Sequence, residues 1–254
     1  MSINTNHLGI LNFTLERVLP LINKHAQQKT YTLKTTPKNT IIYHPFQNPN
    51  KVYLLKSGRV KIGVKSTEGI ELIHQIAWSD DVFGENTLFQ HQASNQFAQA
   101  LEESTYFEID AEALSNFLQE NKWVQGYFLQ LFAQNLQKAE RRLYDFVGKD
   151  APIRIIDFLM EIAQEKGKQN GVTYELFPFF SQGQIASIIG CSAQMVGLVL
   201  RDLKRKSLVT YSKKELVINH IHKLRFYRNQ KCKENQNTIS TLRIETLAHK
   251  YKSA

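Results

Sequence analysis

Cysteine is nearly missing from this 254-residue chain, with only Cys191 and Cys232 present. Two thiols so far apart cannot staple a small secreted scaffold or complete a zinc cluster, and a reducing cytoplasm is the expected compartment. Long apolar runs are missing too. None approaches the roughly 20 residues that cross a bilayer, and no signal-peptide pattern opens the chain, so no membrane partner is expected. No glycine-rich loop of the kind that cradles a diphosphate occurs. One further absence is local: no Lys or Arg lies between positions 66 and 121. An anionic small molecule bound by that stretch would find no fork of cationic donors.

What is present divides in two. Hydrophobic residues make up 42% and charged residues 22%, enough for sizeable cores in a chain long enough for two domains. Residues 1–150 hold fifteen basic and fifteen acidic residues, whereas 151–254 hold seventeen against eight. The second part carries the whole net charge of +9, as expected if it alone meets a polyanion.

Apolar spacing reads as a helix over 8–28, through Leu8, Leu11, Leu15, Val18, Leu19 and Ile22. From about 30 to 110 the period becomes that of strands, predicted at Tyr31–Leu33, Thr40–Tyr43, Val52–Leu55, Val60–Val64, Glu71–Ile76, Phe97–Leu101 and Tyr106–Ile109. Gly58, Gly69 and Gly84 punctuate them. Many short strands between turns indicate a sandwich or barrel rather than alternating βαβ units. Asp110 is placed to cap a helical region running to about Val147. Its stripe of Val124, Phe128, Leu131, Phe132, Asn135, Leu136, Ala139, Leu143 and Phe146 suits a helix packed on its symmetry mate, or else one face of a domain core. Lys149-Asp150-Ala151-Pro152 breaks it. Residues 153–165 resume a helix, 167–171 read as a loop, and Val172–Phe177 as an extended segment.

The most informative stretch is 179–203. Ser181 can cap a helix burying Ile185, Ala186 and Ile189, and Gly190 can take the positive φ that ends it. Ser192 can cap a second helix, with Val196, Val199, Leu200 and Leu203 turned inward. That is the spacing of a helix-turn-helix, whose second helix enters the DNA major groove. Ser192, Ala193, Gln194, Gly197, Leu198 and Arg201 would meet base edges, and Gln194 can bond both N6 and N7 of adenine. Ser181, Ser192, Arg201, Lys204, Arg205 and Lys206 can reach phosphates. Two strands follow, over 207–211 and 215–218, and form a wing with Lys213 and Lys214 at its tip.

These motifs in this order resemble the cyclic-AMP receptor and fumarate–nitrate regulator (Crp/Fnr) family of bacterial transcription regulators, over roughly residues 25–220. The likeness runs through Val52–Leu55, Gly58–Val64, Phe83-Gly84-Glu85, the long helix, Gln184-Ile185-Ala186, Gly190-Cys191-Ser192 and Val196-Gly197. It implies an α+β protein in four parts. These are a helix and a double-stranded β-helix (jelly roll) sensor domain over 1–110, a dimerisation helix over 111–148, a winged helix-turn-helix over 149–222, and a basic extension over 223–254. It further implies a cytoplasmic homodimer on double-stranded DNA at a palindromic operator, with RNA polymerase as a partner and no catalytic role.

In nucleotide-binding members Gly-Glu holds the ribose and Arg-Ser the cyclic phosphate. Gly84 and Glu85 match the first pair, but the second falls on Ser94 and Asn95, which bring no charge. Cyclic AMP is therefore expected to bind weakly or not at all, and the effector, if there is one, is unidentified. No N-terminal cysteine cluster is present for an iron–sulfur centre. His44, His74 and His91 leave haem as a minor alternative, and no cofactor is predicted. Ala193, Gln194 and Leu198 stand where well-studied members carry Arg, Glu and Arg, so the operator should differ from theirs. The extension, with Lys223, Arg225, Arg228, Lys231 and Lys233 and then Ile239, Leu242, Ile244 and Leu247, reads as a basic strap, an added helix or a disordered end. Two competing classes are a cupin-like metal enzyme built on His74, His91 and Glu85, and a scaffold using the winged helix for protein contact. The former lacks a recognisable ligand spacing.

Overall fold

The computed structural model describes residues 15–47, 50–88, 95–212 and 214–234. The fold is α+β, and packing divides it into two compact units, up to Ala139 and from Glu140.

The first unit opens with α1 (Leu15–Ala26), which buries Leu15, Val18, Leu19 and Ile22. Leu8 and Leu11 lie outside the described residues. Eight strands follow: β1 (Tyr31–Thr36), β2 (Ile41–Tyr43), β3 (Lys51–Ser57), β4 (Val60–Lys65), β5 (Glu71–Ala77), β6 (Val82–Phe83), β7 (Gln96–Ala100) and β8 (Ser104–Asp110). They form two four-stranded antiparallel sheets, β1-β8-β3-β6 and β2-β7-β4-β5, so that early and late strands alternate in each. Only β6 was not anticipated as a strand; two residues are too short to show a period.

Side-chain alternation along β3 explains how two cores arise. Val52 and Leu54 join α1, β8 and the following helices in one cluster. Tyr53 and Leu55 join Tyr43, Val60, Ile62, Ala77, Phe83, Ala98 and Tyr106 in a second, drawn from both sheets. Stacked rings fill it, with Tyr53 and Phe83 centroids 4.9 Å apart and 12° from parallel.

Asp110 caps α2 (Ala111–Glu120), its carboxylate accepting from the Ala113 amide. The predicted single helix to Val147 is interrupted. The Asn121 backbone and side-chain amides both donate to the Phe117 carbonyl, ending α2 before α3 (Lys122–Gly148) begins.

The second unit holds α4 (Ala151–Lys166), with Pro152 in its first turn, where its missing N–H costs nothing. A four-stranded sheet, β11-β12-β10-β9, comprises β9 (Lys168–Asn170), β10 (Thr173–Leu176), β11 (Val209–Tyr211) and β12 (Leu216–Ile218). The expected loop at 167–171 is thus mostly a hairpin, turning at Gly171 with φ +60°. Between β10 and β11 lie α5 (Gln182–Ile189) and α6 (Ala193–Arg205). The extension is helical over 221–234 (α7), with Ile221 and Leu224 buried; Ile239 onward lies outside the described residues.

Candidate nucleic-acid interface and effector site

Local chemistry sets the α5–α6 pair. Ser181 Oγ accepts from the Gln184 amide while Gln184 Oε1 accepts from the Ser181 amide, a reciprocal capping box. Gly190 closes α5 in the left-handed region, φ 71° and ψ 53°, where any side chain is strained. Ser192 Oγ then caps α6 through the Met195 amide. The two helices meet at a bend of 111°, within the range of helix-turn-helix units. Ile185, Ala186 and Ile188 form the buried side of α5, and Ile189 is only half-buried, one position from the face expected. In α6 the inward residues are Val196, Val199, Leu200 and Leu203, as the spacing predicts.

Ser192, Ala193, Gln194, Leu198, Arg201, Lys204, Arg205 and Lys206 are all exposed on α6 and its end, and Ser181 and Lys214 are exposed nearby. Lys213 lies outside the described residues. Gly197 corrects the expectation: it is buried, because a Cβ there would sit 3.0 Å from Gln182 Oε1 and 3.5 Å from Arg201 Nη1. It allows the two helices to approach and offers no surface. Gln182, absent from the predicted set, occupies that spot instead.

The basic residues are not equally free. Asp202 Oδ1 takes Arg205 at 2.7 Å and Lys206 at 3.8 Å. Asp202 Oδ2 takes the Tyr227 hydroxyl of α7. Burial pushes the Asp202 carboxyl up, but hydrogen bonds from Tyr227 and Arg205 with the Lys206 charge outweigh it and hold it below the ordinary carboxylate range. Lys204 lies over the Tyr211 ring, tying the helix end to β11. Arg228 of α7 makes two 2.8 Å bonds to Asp157 of α4, whose other partner is Lys149 at 2.8 Å. The extension is therefore a docked buttress of α4 and α6. Partners this far apart in sequence carry no periodic signal.

The expected dimerisation stripe splits into two faces. Val124 and Phe128 are buried in their own unit with Tyr127, Leu131 and Phe132 packed beside them, so they cannot serve a seam. Leu136, Leu143 and Phe146 are largely exposed, at 62%, 67% and 59%, and Ala139 is exposed with them. Leu129, not in the predicted set, joins them at 65%. Leu129, Phe132, Leu136, Ala139, Leu143 and Phe146 follow spacings of three and four, a heptad seam. Phe146 also faces the turn of the helix pair, 3.4 Å from where a Gly190 Cβ would lie.

In the first unit Gly84, at φ +74°, lies where a Cβ would meet the Tyr53 ring at 2.9 Å. Glu85 behind it is buried, and its Oε1 accepts from Asn135 Nδ2 at 2.9 Å, so Asn135 turns to its own sheet domain. Burial raises the Glu85 carboxyl pKa; a backbone hydrogen bond and the Asn135 amide oppose that rise. The hydroxyl of Tyr43 is buried without a hydrogen-bond partner, its pKa pushed up by burial and then by the Glu85 charge. Asn95 is exposed at the start of β7, and Ser94 and His91 lie outside the described residues. Arg59 and Lys61 alternate with core residues Val60 and Ile62 and are matched by Glu102 and Glu71. Among the described residues, no group of three or more His, Cys, Asp or Glu side chains could hold a metal, and no single helix is long and apolar enough to cross a membrane. Cys191 is half-buried, and burial raises its thiol pKa.

Comparisons agree along the length of the chain. The cyclic nucleotide-binding domain family matches residues 33–121, and the Crp-like helix-turn-helix domain family matches 153–227. The chain is 24% identical over 188 residues to a CRP-like cAMP-activated global transcriptional regulator of Mycobacterium tuberculosis, covering 74% of this chain and 84% of that one. It is 27% identical over 201 residues to the cAMP-activated global transcriptional regulator Vfr of Pseudomonas aeruginosa, covering 76% and 90%. Among solved structures, a CooA variant from Carboxydothermus hydrogenoformans matches with a TM-score of 0.69 and 22% identity over 86% of this chain and 97% of that one. CprK complexed with OCPA matches with 0.65 and 19% over 84% and 94%.

Proposed function

The chain belongs to the Crp/Fnr family of transcription regulators, DNA-binding proteins rather than enzymes, and from that premise we propose that it acts as a homodimer on a palindromic operator. One observation carries this reading. The α5–α6 pair, fixed by two serine caps and Gly190, presents Gln194, Leu198 and Arg201 to solvent beside the β11–β12 hairpin. Gln194 would read a base edge, while Arg201, Lys204 and Lys214 would hold phosphates and fix the register. Arg205 and Lys206, already shared with Asp202, would contribute less. The seam of Leu129, Leu136 and Leu143 supports dimerisation, since a second copy presents the same heptad in register. In the first unit the interleaved strand order supports a jelly roll.

The proposed effector response departs from that of the cAMP-activated relatives. Glu85 is held by Asn135, and the matched cations Arg59 and Lys61 leave no described cation for an anionic phosphate beside it. Cyclic AMP should therefore bind weakly or not at all. RNA polymerase is the partner expected of a regulator bound at a promoter.

Titration of labelled duplexes at several salt concentrations tests the reading. Selective binding whose affinity falls steeply with salt supports it. Absent or salt-insensitive binding would favour a protein-contact scaffold. Micromolar or tighter cyclic-AMP affinity in calorimetry would overturn the effector reading alone.

A further inference from the structure

Helix α3 rests on the first unit through one face. Val124 and Phe128 are buried, Tyr127, Leu131 and Phe132 pack beside them, and everything beyond Asn135 on that helix up to Tyr144 is exposed. Asn135 is the last side chain of that face, and its contact is of a different kind. Its amide reaches a carboxylate that is itself 6% exposed, at 2.9 Å, across fifty residues of sequence. Tyr127, two turns earlier, faces the same acidic corner: burial first, and then Asp81, Glu85 and Asp80, push its hydroxyl up to about 12. A buried carboxylate without a donor costs far more than an exposed one, so the amide that satisfies it is held strongly. Apolar contacts let a helix roll or slide by small steps. A directional bond at the end of the packed stretch does not.

We infer that Asn135 and Glu85 form a ligand-independent latch fixing the rotation of α3 on the sheet domain, and thereby the facing of the Leu129–Leu136–Leu143 seam. The inference rests on the dimeric regulator reading for its consequence in DNA binding, but not for the latch itself. With the latch made, the seam is presented at one angle and two recognition helices keep one spacing. With it broken, α3 turns about its apolar contacts, and a palindrome is gripped by one half at a time. Half-site binding needs only one winged helix and is untouched.

Asn135→Ala removes the donor, Asn135→Asp sets a second carboxylate against Glu85, and the exchange Glu85→Gln with Asn135→Asp restores an amide–carboxylate pair in reversed order. Operator binding is read on full-palindrome and half-site duplexes, and amide hydrogen exchange is read without DNA. We expect the Ala variant to bind the palindrome about tenfold more weakly, the Asp variant more weakly still, and all variants to bind the half-site like the parent. Exchange should quicken over 129–139 while β1 and β8 stay protected, and the exchanged pair should recover both readouts. Unchanged exchange over 129–139 in the Asp variant, or no recovery in the exchanged pair, would overturn the latch. A parent protein that selects no duplex would sink the regulator reading while leaving the exchange experiment decisive.

Discussion

Truncating Leu136 should loosen the dimer by a calculable amount. In the single chain this side chain leaves 62% of its surface open. Full burial of a leucine stabilises by about 1.5–3 kcal/mol, so seating that share on a partner contributes about 1–2 kcal/mol. Twofold symmetry repeats the contact, giving about 2–4 kcal/mol per dimer. Alanine keeps one carbon of the four, so the loss falls toward the lower part of that range. At 1.4 kcal/mol per decade, Leu136→Ala should raise the dimer dissociation constant roughly 30- to 300-fold. Sedimentation equilibrium over a wide concentration range reads this directly. Gln134→Ala is the control, because Gln134 is exposed two positions away on another face of the helix. An unchanged dissociation constant in Leu136→Ala, or an equal change in Gln134→Ala, would refute the seam.

Other outcomes follow from single groups. Gly190→Ala places an L-residue at φ 71°, costing about 1–2 kcal/mol; thermal melting of the full chain should show the second unit unfolding several degrees earlier, and an unchanged Tm would contradict the turn. Burial pushes the Asp157 carboxyl up, but Arg228 and Lys149 outweigh it and hold it below its usual 3.8. Its contribution is therefore complete above pH 3.8 and fades as pH falls through the lowered value. In urea unfolding, Asp157→Asn should lose roughly 2–3 kcal/mol at pH 7, with the gap to the parent narrowing below pH 3.8; a gap independent of pH would count against the pairing. Gln194→Ala should relax preference at one base pair by about 1–3 kcal/mol, whereas Lys214→Ala should weaken all duplexes alike and lower the salt slope by about one. Competitive binding to single-substitution duplexes separates the two roles.

Strands were legible where apolar and polar residues alternate, as at Val52–Leu55 and Tyr106–Ile109, and the helix pair was legible because Ser181, Gly190 and Ser192 each act on their own backbone. β9 was not, since Lys168, Gln169 and Asn170 are all exposed and carry no pattern. The two faces of α3 could not be separated from spacing alone. Val124, Phe128, Leu129 and Leu136 are equally apolar, and only the position of α1, α2 and the sheets decides which are covered. Gly197 looked exposed because its place on the α6 wheel is outward; Gln182, from the preceding helix, covers it. The pairs Glu85–Asn135 and Asp157–Arg228 span fifty and seventy-one residues, and no local rule reaches that far. At the site, the set of exposed α6 residues was readable, whereas the docked α7 that steadies it was left open among three readings.

Selection of bound duplexes from a random-sequence library, followed by sequencing, reaches the central claim with least intermediary. Two outward-facing Gln194 side chains on symmetric copies require an enriched inverted repeat, its half-sites about one helical turn apart, and the Gln194→Ala protein should enrich the same spacing with one position in each half relaxed. A pool that stays random, or a single unrepeated motif indifferent to Gln194, would contradict it.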